Sequence, residues 1–179
     1  MASTAEKRRF AGIIVAVLVV DLVTKYLAEM YLAEAGLPRY RGVPIFGEVF
    51  QLQLVYNPGA AFGLHIGEYS RWFFTCLTVV ALVVLAVMVR QTKPGDSLRF
   101  YSIAAVMAGA TGNLIDRLRS ARGVVDFLLF SVGSFRWPNF NVADMAVSCG
   151  AVALAIALWN EDRHHRPSAS PGAAPPEPG

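Results

Sequence analysis

Two aspartates in the second half of the chain lie beside strongly apolar sequence: Asp126, which follows Val124 and Val125, and Asp144, which follows Val142 and Ala143. An isolated carboxylate close to hydrocarbon is costly, so such residues tend to be paired and functional. Two carboxylates at one site are also the smallest set of side chains that can activate water for peptide hydrolysis. The pair therefore predicts acid–base chemistry, provided that the fold brings both residues together.

Other polar side chains lie near the ends of apolar segments. Asp21 and Lys25 are four residues apart with the acid first, the favourable order for an ion pair on one helix face. Asn113 and Arg117 also share a helix face. Counting about 1.5 Å of rise per residue puts these groups, and the first turn of the last apolar segment, at one outer depth. Random placement would scatter them, so the convergence indicates one site.

Each of these residues also has a purely structural interpretation. Asp21 and Lys25 could form an ion pair that only joins elements of the fold. Asn141 and Asp144 have the spacing of a helix N-cap and its third residue, so Asp144 could merely satisfy backbone donors. Asp126 could be a charge that discourages pairing at a sheet edge. The common depth of all these groups favours a functional site.

The elements that must position these residues follow from composition. The chain has 179 residues, of which 55% are hydrophobic and 16% charged, and its mean hydropathy is +0.45, which indicates a membrane protein. Four segments are long and apolar enough to span a bilayer: Phe10–Met30, Trp72–Val89, Leu98–Ile115 and Val142–Trp159. We predict one integral-membrane domain over residues 1–163 and a disordered tail rich in proline, alanine and glycine over residues 164–179.

The first span could instead be a cleaved secretory signal. Lys7, Arg8 and Arg9 give it a basic start, and Ala33-Glu34-Ala35 resembles a cleavage site. Asp21 and Lys25, however, separate the apolar run from that site. A retained helix is therefore favoured.

Basic residues near the span ends predict the orientation, because cytoplasmic loops are enriched in lysine and arginine. Such residues occur before the first span, between the second and third, and after the fourth, so both termini are expected in the cytoplasm. Arg119, Arg122 and Arg136 in the last outer loop run against this rule. We interpret them as local or functional, and Arg117 could be an interfacial snorkelling residue.

Two outer segments have the patterns of strands and turns. Phe50–Leu54 alternates apolar and polar residues and leads into the turn signal Asn57-Pro58-Gly59. Val124–Phe130 is a second strand-like run, followed by Gly133 and Pro138. Together they predict a small sheet on the membrane surface.

No pattern indicates a metal or another cofactor. Cys76 and Cys149 lie in apolar runs and are expected to pack as small hydrophobes, and no C-x-x-C is present. His65, His164 and His165 form no H-E-x-x-H. Zinc-dependent proteolysis is therefore not expected.

Five stretches resemble the lipoprotein signal peptidase (signal peptidase II) family, in the family's order: Asp21-Leu22-Val23-Thr24-Lys25, Asn57-Pro58-Gly59-Ala60-Ala61-Phe62, Gly109-Ala110-Thr111-Gly112-Asn113-Leu114-Ile115-Asp116-Arg117, Val124-Val125-Asp126-Phe127 and Phe140-Asn141-Val142-Ala143-Asp144. The third and fifth stretches together are highly specific. Ala108, where the family often has glycine, is a small departure that affects no catalytic role. The resemblance extends from Asp21 to about Trp159.

The resemblance implies an all-α membrane protein with four transmembrane helices, a small extracytoplasmic β-cradle and a short helix. It implies a metal-free aspartyl endopeptidase of the bacterial cytoplasmic (inner) membrane, with an extracytoplasmic active site. Its substrates would be diacylglyceryl-prolipoproteins, cut N-terminal to the lipidated cysteine. The expected partners are these substrates and membrane lipids, with no nucleic acid, and a monomer is expected to suffice. Asp126 and Asp144 match the catalytic positions. The other matched site positions line or support the site: Asp21, Lys25, Asn57, Gly59, Asn113, Arg117 and Asn141.

Three rival functions remain. A proton-coupled transporter also uses membrane carboxylates, but the polar groups stop at one depth and no internal repeat is visible. A Ser–Lys protease would use Lys25 as the base. No serine near the outer span ends has an evident partner motif, and Ser120 is the best of these candidates for the nucleophile. A non-enzymatic membrane scaffold is the third alternative, and it would not explain why two aspartates lie beside apolar sequence.

Overall fold

Four long helices and one antiparallel sheet make up the described part of the chain, which comprises residues 3–34, 42–59 and 67–165 of a computed structural model. The elements in chain order are α1 Thr4–Glu34, β1 Val43–Phe46, β2 Phe50–Asn57, α2 Ser70–Gln91, α3 Ser97–Arg119, β3 Val124–Val132, β4 Phe135–Arg136 and α4 Val142–His165. A short 3-10 helix, Gly67–Tyr69, leads into α2. Each of the four predicted spans lies within one of the four helices.

Three of these helices contain segments long and apolar enough to cross a membrane: Thr4–Ala33, Gly67–Gln91 and Val142–Glu161. Their large apolar side chains face outward, as Val80 of α2 does with 59% of its surface exposed. That exposure suits contact with lipid rather than water. α3 carries more polar residues and is the central helix, packed against α1, α2 and α4. A mostly helical membrane protein with a small sheet is thus confirmed.

The packing around α3 is close because glycine faces its neighbours. A Cβ atom on Gly112 would lie 2.5 Å from Oδ2 of Asp21 in α1. A Cβ atom on Gly109 would collide with the carbonyl oxygen of Ala143 in α4. Any larger residue at either position would separate α3 from a helix that carries site residues. The two glycines therefore position the site as well as the helices.

The sheet has the strand order β1-β2-β3-β4, and all its pairings are antiparallel. The strands predicted within Phe50–Leu54 and Val124–Phe130 are confirmed as parts of β2 and β3. The register places Val55 of β2 opposite Asp126 of β3. β1 and β4 were missed because all four β1 residues are exposed, which removes the alternation, and β4 has only two residues.

α4 continues to His165, so the predicted start of the tail at residue 164 falls inside the helix. The rest of the predicted tail, residues 166–179, lies outside the described residues, as does His65, and tail disorder stays a prediction. Cys76 of α2 and Cys149 of α4 are both exposed. The expectation that they pack inside the protein was wrong, because an apolar run on a membrane-facing helix does not distinguish its buried side from its lipid side.

Candidate active site

Asp126 and Asp144 line one cavity of about 320 Å³ between the sheet and the helices. Asp126 comes from β3, and Asp144 lies in the first turn of α4. The remaining lining residues are Asn57, Asn113, Arg117, Val124, Trp137, Pro138, Asn139, Phe140, Met145, Ser148 and Cys149. The fold therefore brings together two aspartates that are far apart in the chain.

Three asparagine side chains hold all four oxygens of this aspartate pair, together with one backbone amide. Asn141 Nδ2 donates to Asp126 Oδ1 at 2.7 Å, and Asn57 Nδ2 donates to Asp126 Oδ2 at 3.2 Å. Asn113 Nδ2 donates to Asp144 Oδ1 at 2.8 Å. The backbone N–H of Asn141 donates to Asp144 Oδ2 at 3.1 Å. Both carboxyl groups are thus fixed in orientation by donors that carry no charge.

The N-terminus of α4 has the geometry of a helix cap. Asn141 Oδ1 accepts the backbone N–H of Asp144 at 2.9 Å, while Asp144 returns a contact to the backbone of Asn141. The structural interpretation of this spacing is therefore correct. It accounts for only one oxygen of Asp144, because Oδ1 faces Asn113 in the wall of the cavity. Asp144 therefore stabilises the start of α4 through Oδ2 and presents Oδ1 to the cavity.

Burial changes the titration of Asp126, which is only 2% exposed. Loss of hydration raises the pKa of Asp126, and the nearby Asp144 charge raises it further, to about 7. The donors on Asn57 and Asn141 oppose this shift by stabilising the ionised form, but the burial effect is larger. Asp126 therefore keeps its proton up to near neutral pH.

A buried cluster of charges lies directly behind the aspartate pair. Lys25 Nζ contacts Asp21 Oδ2 at 2.8 Å, Asp116 Oδ2 at 2.9 Å and Asn113 Oδ1 at 3.0 Å. All three charged side chains are at most 1% exposed. The predicted Asp21–Lys25 pair is confirmed, and it has a second acidic partner. Because each proton of the ammonium group has an acceptor, Lys25 fixes Asn113, which in turn fixes Asp144.

The two acids of this cluster also bind the backbone of the elements that carry the aspartate pair. Asp21 Oδ1 accepts the N–H of Ala143 at the start of α4, at 2.8 Å. Asp116 Oδ2 accepts the N–H of Val125 in β3, at 3.2 Å. Each acid thus binds the residue immediately before one of the paired aspartates. Asp116 is the positioning residue that sequence reasoning left out of the site, although a buried acid inside the third family stretch was a usable signal.

Arg117 closes another side of the cavity. Its Nη2 donates to the carbonyl oxygen of Gly59 at 3.0 Å, and its Nη1 donates to that of Asn113 at 3.3 Å. Gly59 N–H donates to Asn57 Oδ1 at 2.9 Å, which forms the predicted turn. Arg117 is only 8% exposed, so it does not snorkel to the interface. That interpretation was wrong because the side chain binds backbone oxygens inside the protein.

Two arginines that conflict with the orientation rule are paired with one acid. Arg119 Nη2 contacts Glu29 Oε2 at 2.9 Å, and Arg122 Nη2 contacts Glu29 Oε1 at 3.2 Å. The Arg122 guanidinium also lies over the ring of Tyr56, whose hydroxyl donates to Glu29. These contacts join the C-terminal ends of α1 and α3 to β2. The two arginines therefore have a local structural role, as the sequence interpretation held.

The described residues show no arrangement for the Ser–Lys alternative and no cluster of three or more histidine, cysteine or acidic residues that could hold a metal ion. The backbone oxygen of Ser120 accepts from Arg71, and its hydroxyl accepts the N–H of Arg122. Lys25 instead contacts Asp21, Asp116 and Asn113. These contacts of Lys25 do not fit a base that activates Ser120.

Known proteins share both the sequence and the fold. The family model described as Signal peptidase (SPase) II matches residues 13–160. The lipoprotein signal peptidase of Francisella tularensis subsp. novicida (strain U112) is 35% identical over 154 residues, which are 84% of this chain and 91% of the relative. That of Hydrogenovibrio crunogenus (strain DSM 25203 / XCL-2) is 40% identical over 153 residues, 84% of this chain and 85% of the relative.

A solved bacterial membrane enzyme superposes with a TM-score of 0.75 and 25% identity, over 90% of this chain and 94% of that one. A second such enzyme superposes with a TM-score of 0.70 and 27% identity, over 84% of this chain and 92% of the other. The family model covers far more than half of the chain, and the relatives are matched over most of their length. This chain belongs to the signal peptidase II family.

Proposed function

We propose that this chain is an aspartic endopeptidase whose catalytic pair is Asp126 and Asp144, and that it cuts diacylglyceryl-modified prolipoproteins N-terminal to the lipidated cysteine. Family membership makes it a peptidase that removes signal peptides from prolipoproteins. One observation carries the aspartic mechanism: two carboxyl groups line one cavity, and every one of their oxygens is held by a donor.

In this mechanism the two acids share one proton, because close carboxylates resist double ionisation. The ionised acid takes a proton from a water molecule, and the resulting hydroxide attacks the scissile carbonyl carbon. The protonated acid polarises the carbonyl oxygen. When the tetrahedral intermediate collapses, the C–N bond breaks and the cysteine amine leaves with a proton from the acid pair. The acids titrate as a unit, so the resting proton belongs to the pair.

The remaining matched residues have positioning roles in this proposal. Asn113 and Asn141 orient the two acids through the contacts described above. Arg117 lines the cavity, where its guanidinium can bind carbonyl oxygens of the substrate. Asn57 binds Asp126 and sets the turn that carries Gly59. The Asp21–Lys25 pair supports all of these from behind.

We also propose that α3 is a fourth transmembrane helix. It packs antiparallel along α4: Asn113 contacts Asp144 at one end, and Arg99 pairs with Glu161 at the other end. A helix that follows a membrane-spanning partner over this length must cross the same layer. With four spans both termini lie on the same side of the membrane, and the basic residues near the span ends assign that side to the cytoplasm. The site then faces the outer side of a bacterial cytoplasmic membrane. Function as a monomer stays a prediction.

Reporter fusions test this topology. A fusion after Arg90 or Trp159 is expected to report the cytoplasm, whereas a fusion near Gly133 is expected to report the outer side. The physical reason is the excess of basic residues at the ends assigned to the cytoplasm, together with the pairing of Arg119 and Arg122 to Glu29. A cytoplasmic signal from the Gly133 fusion would contradict the placement of the site.

The substrate class is tested with two precursors of identical sequence, one diacylglyceryl-modified and one unmodified. The purified chain in lipid vesicles is expected to cleave the modified precursor and to cleave the other poorly or not at all, because acyl chains hold the cysteine at the membrane beside the acids. Chelators should leave the rate unchanged, since the aspartate pair needs only water. Equal cleavage of both precursors would contradict the substrate class. Loss of activity on chelation, restored by zinc, would contradict the mechanism.

A further inference from the structure

A second, wider groove lies between α3 and α4, on the side of the cavity away from the sheet. Its volume is about 530 Å³, and it is lined by Ser97, Leu98, Tyr101, Ser102, Ala105, Cys149, Gly150 and Ala153. Cys149 also lines the cavity that contains the aspartate pair. Cys149 therefore contributes to the walls of both spaces, and the groove lies beside the proposed site and runs along the two helices.

The lining of the groove suits a packed apolar helix. Ser102 and Ala105 lie on one face of α3, and Gly150 and Ala153 on the facing side of α4. Gly150 lets the helices approach closely, since a Cβ atom there would lie 2.8 Å from a methyl group of Val106. Small side chains on adjacent helices allow a further helix to approach the backbone. The groove is thus mostly apolar, and its lining residues follow the axes of α3 and α4.

The distance that the groove extends along α3 and α4 indicates which part of the substrate can fill it. At about 1.5 Å of rise per residue, Ala153 lies about 14 Å below Asp144 along α4, and Ser97 lies about 24 Å below Asn113 along α3. The hydrocarbon layer is about 30 Å thick, so acyl chains anchored at the outer surface reach only about half of it. A peptide segment that crosses the bilayer reaches the whole groove.

We propose that the α3–α4 groove binds the apolar, membrane-crossing segment of the signal peptide, and that it feeds the scissile bond into the cavity past Cys149. This inference rests on the proposed function and on the orientation given with it. The segment enters from the cytoplasmic end of the groove and runs outward along α3 and α4. Binding there would align the peptide bond with Asp126 and Asp144 and add affinity that a short peptide lacks.

The test compares two lipidated substrates in vesicles. One is the full diacylglyceryl precursor, and the other is a short diacylglyceryl peptide that spans the cleavage site but lacks the apolar segment. Ala153→Phe fills the groove, and Ala105→Phe fills it from the other helix. Both are expected to raise KM for the full precursor by roughly tenfold or more, equivalent to about 1.4 kcal/mol of lost binding. KM for the short peptide and kcat for both substrates should stay unchanged.

Val152→Phe is the matched control, because Val152 neighbours Ala153 on α4 but is 62% exposed and lies outside the groove. It should behave like the unaltered chain with both substrates. An equal rise in KM for both substrates would assign the groove to acyl chains and overturn the proposal. An unchanged KM for the full precursor in both groove variants would also overturn it. If the unaltered chain cleaves neither lipidated substrate, the proposed function itself fails.

Cross-linking gives a second measurement that does not depend on catalysis. Cys76→Ser leaves Cys149 as the single thiol of the chain, which has two cysteines. A cysteine scanned through the apolar segment of the precursor should form a disulfide with Cys149 near the end closest to the cleavage site. With Cys149→Ser and Val152→Cys in the same background, the cross-link should disappear. Absence of any cross-link to Cys149 across the scan would overturn the proposal.

Discussion

Asp126→Asn and Asp144→Asn are each expected to lower the rate of prolipoprotein cleavage by about 10³-fold or more while the chain stays folded in the membrane. An amide can neither take the proton of the attacking water nor donate one to the leaving amine as an acid does. The variant that combines both changes should be no slower than either single variant, because the two acids act as a unit. Single-turnover cleavage in vesicles measures these rates.

Asp96→Asn is the matched control for charge and size. Asp96 is the N-cap of α3, where its side chain accepts the N–H of Arg99, and asparagine serves as a cap about as well as aspartate. Its cleavage rate should therefore stay near that of the unaltered chain. Near-normal cleavage by a folded Asp126→Asn or Asp144→Asn variant would remove that residue from the catalytic pair.

The raised pKa of Asp126 gives the same variant a second, non-catalytic readout. The folded chain binds this proton more tightly than the unfolded chain, so the stabilisation is complete below the ordinary value of 3.8 and is lost as pH rises to about 7. Stability should therefore fall with pH across this window. Asp126→Asn should flatten that fall, which unfolding in detergent at several pH values measures. An unchanged slope would show that Asp126 titrates normally.

The spans and two of the strands could be predicted because their patterns are local. Unbroken apolar runs locate the helices, and alternation over Phe50–Leu54 locates β2. The cost of a carboxylate beside hydrocarbon distinguishes Asp126 and Asp144 from the sequence alone. Spacing along one helix likewise predicted the Asp21–Lys25 pair. These features depend on residues within a few positions of one another.

Contacts between distant parts of the chain were not predictable in the same way. No local pattern pairs Glu29 of α1 with Arg119 and Arg122, because the partners are about ninety positions apart. The same limit hid the part played by Asp116, which joins Lys25 to the backbone of β3. The exposure of Cys149 depends on how α4 packs against α3 around the two cavities that this residue lines. Such facts follow from how the helices pack, and periodicity in a uniformly apolar helix does not encode them.

Lys25→Met is expected to be the most destabilising of the changes considered, at about 3–5 kcal/mol, because it leaves Asp21 and Asp116 buried without their cation. Most small domains have only about 5–15 kcal/mol of stability, so much of the margin would be lost. Cleavage should fall as well, since Asn113, which donates to Asp144, loses one of the two donors to its own Oδ1 and keeps only Asn141. Unfolding by denaturant in detergent, followed by circular dichroism, measures the change.

Lys93→Met is the matched control, because the Lys93 side chain is 63% exposed and pairs with Glu161, which keeps Arg99 as a partner. An exposed ion pair contributes about 0–1 kcal/mol, so this variant should unfold near the unaltered midpoint. Adding Asp116→Asn to Lys25→Met should recover part of the lost stability, since it removes one of the two unpaired charges. If Lys25→Met were as stable as Lys93→Met, the buried cluster would have no role in holding α1, α3 and β3 together. In that case the loss of Lys25 would lower the cleavage rate, because Asn113 and Asp144 are less well oriented, and would leave the free energy of unfolding unchanged.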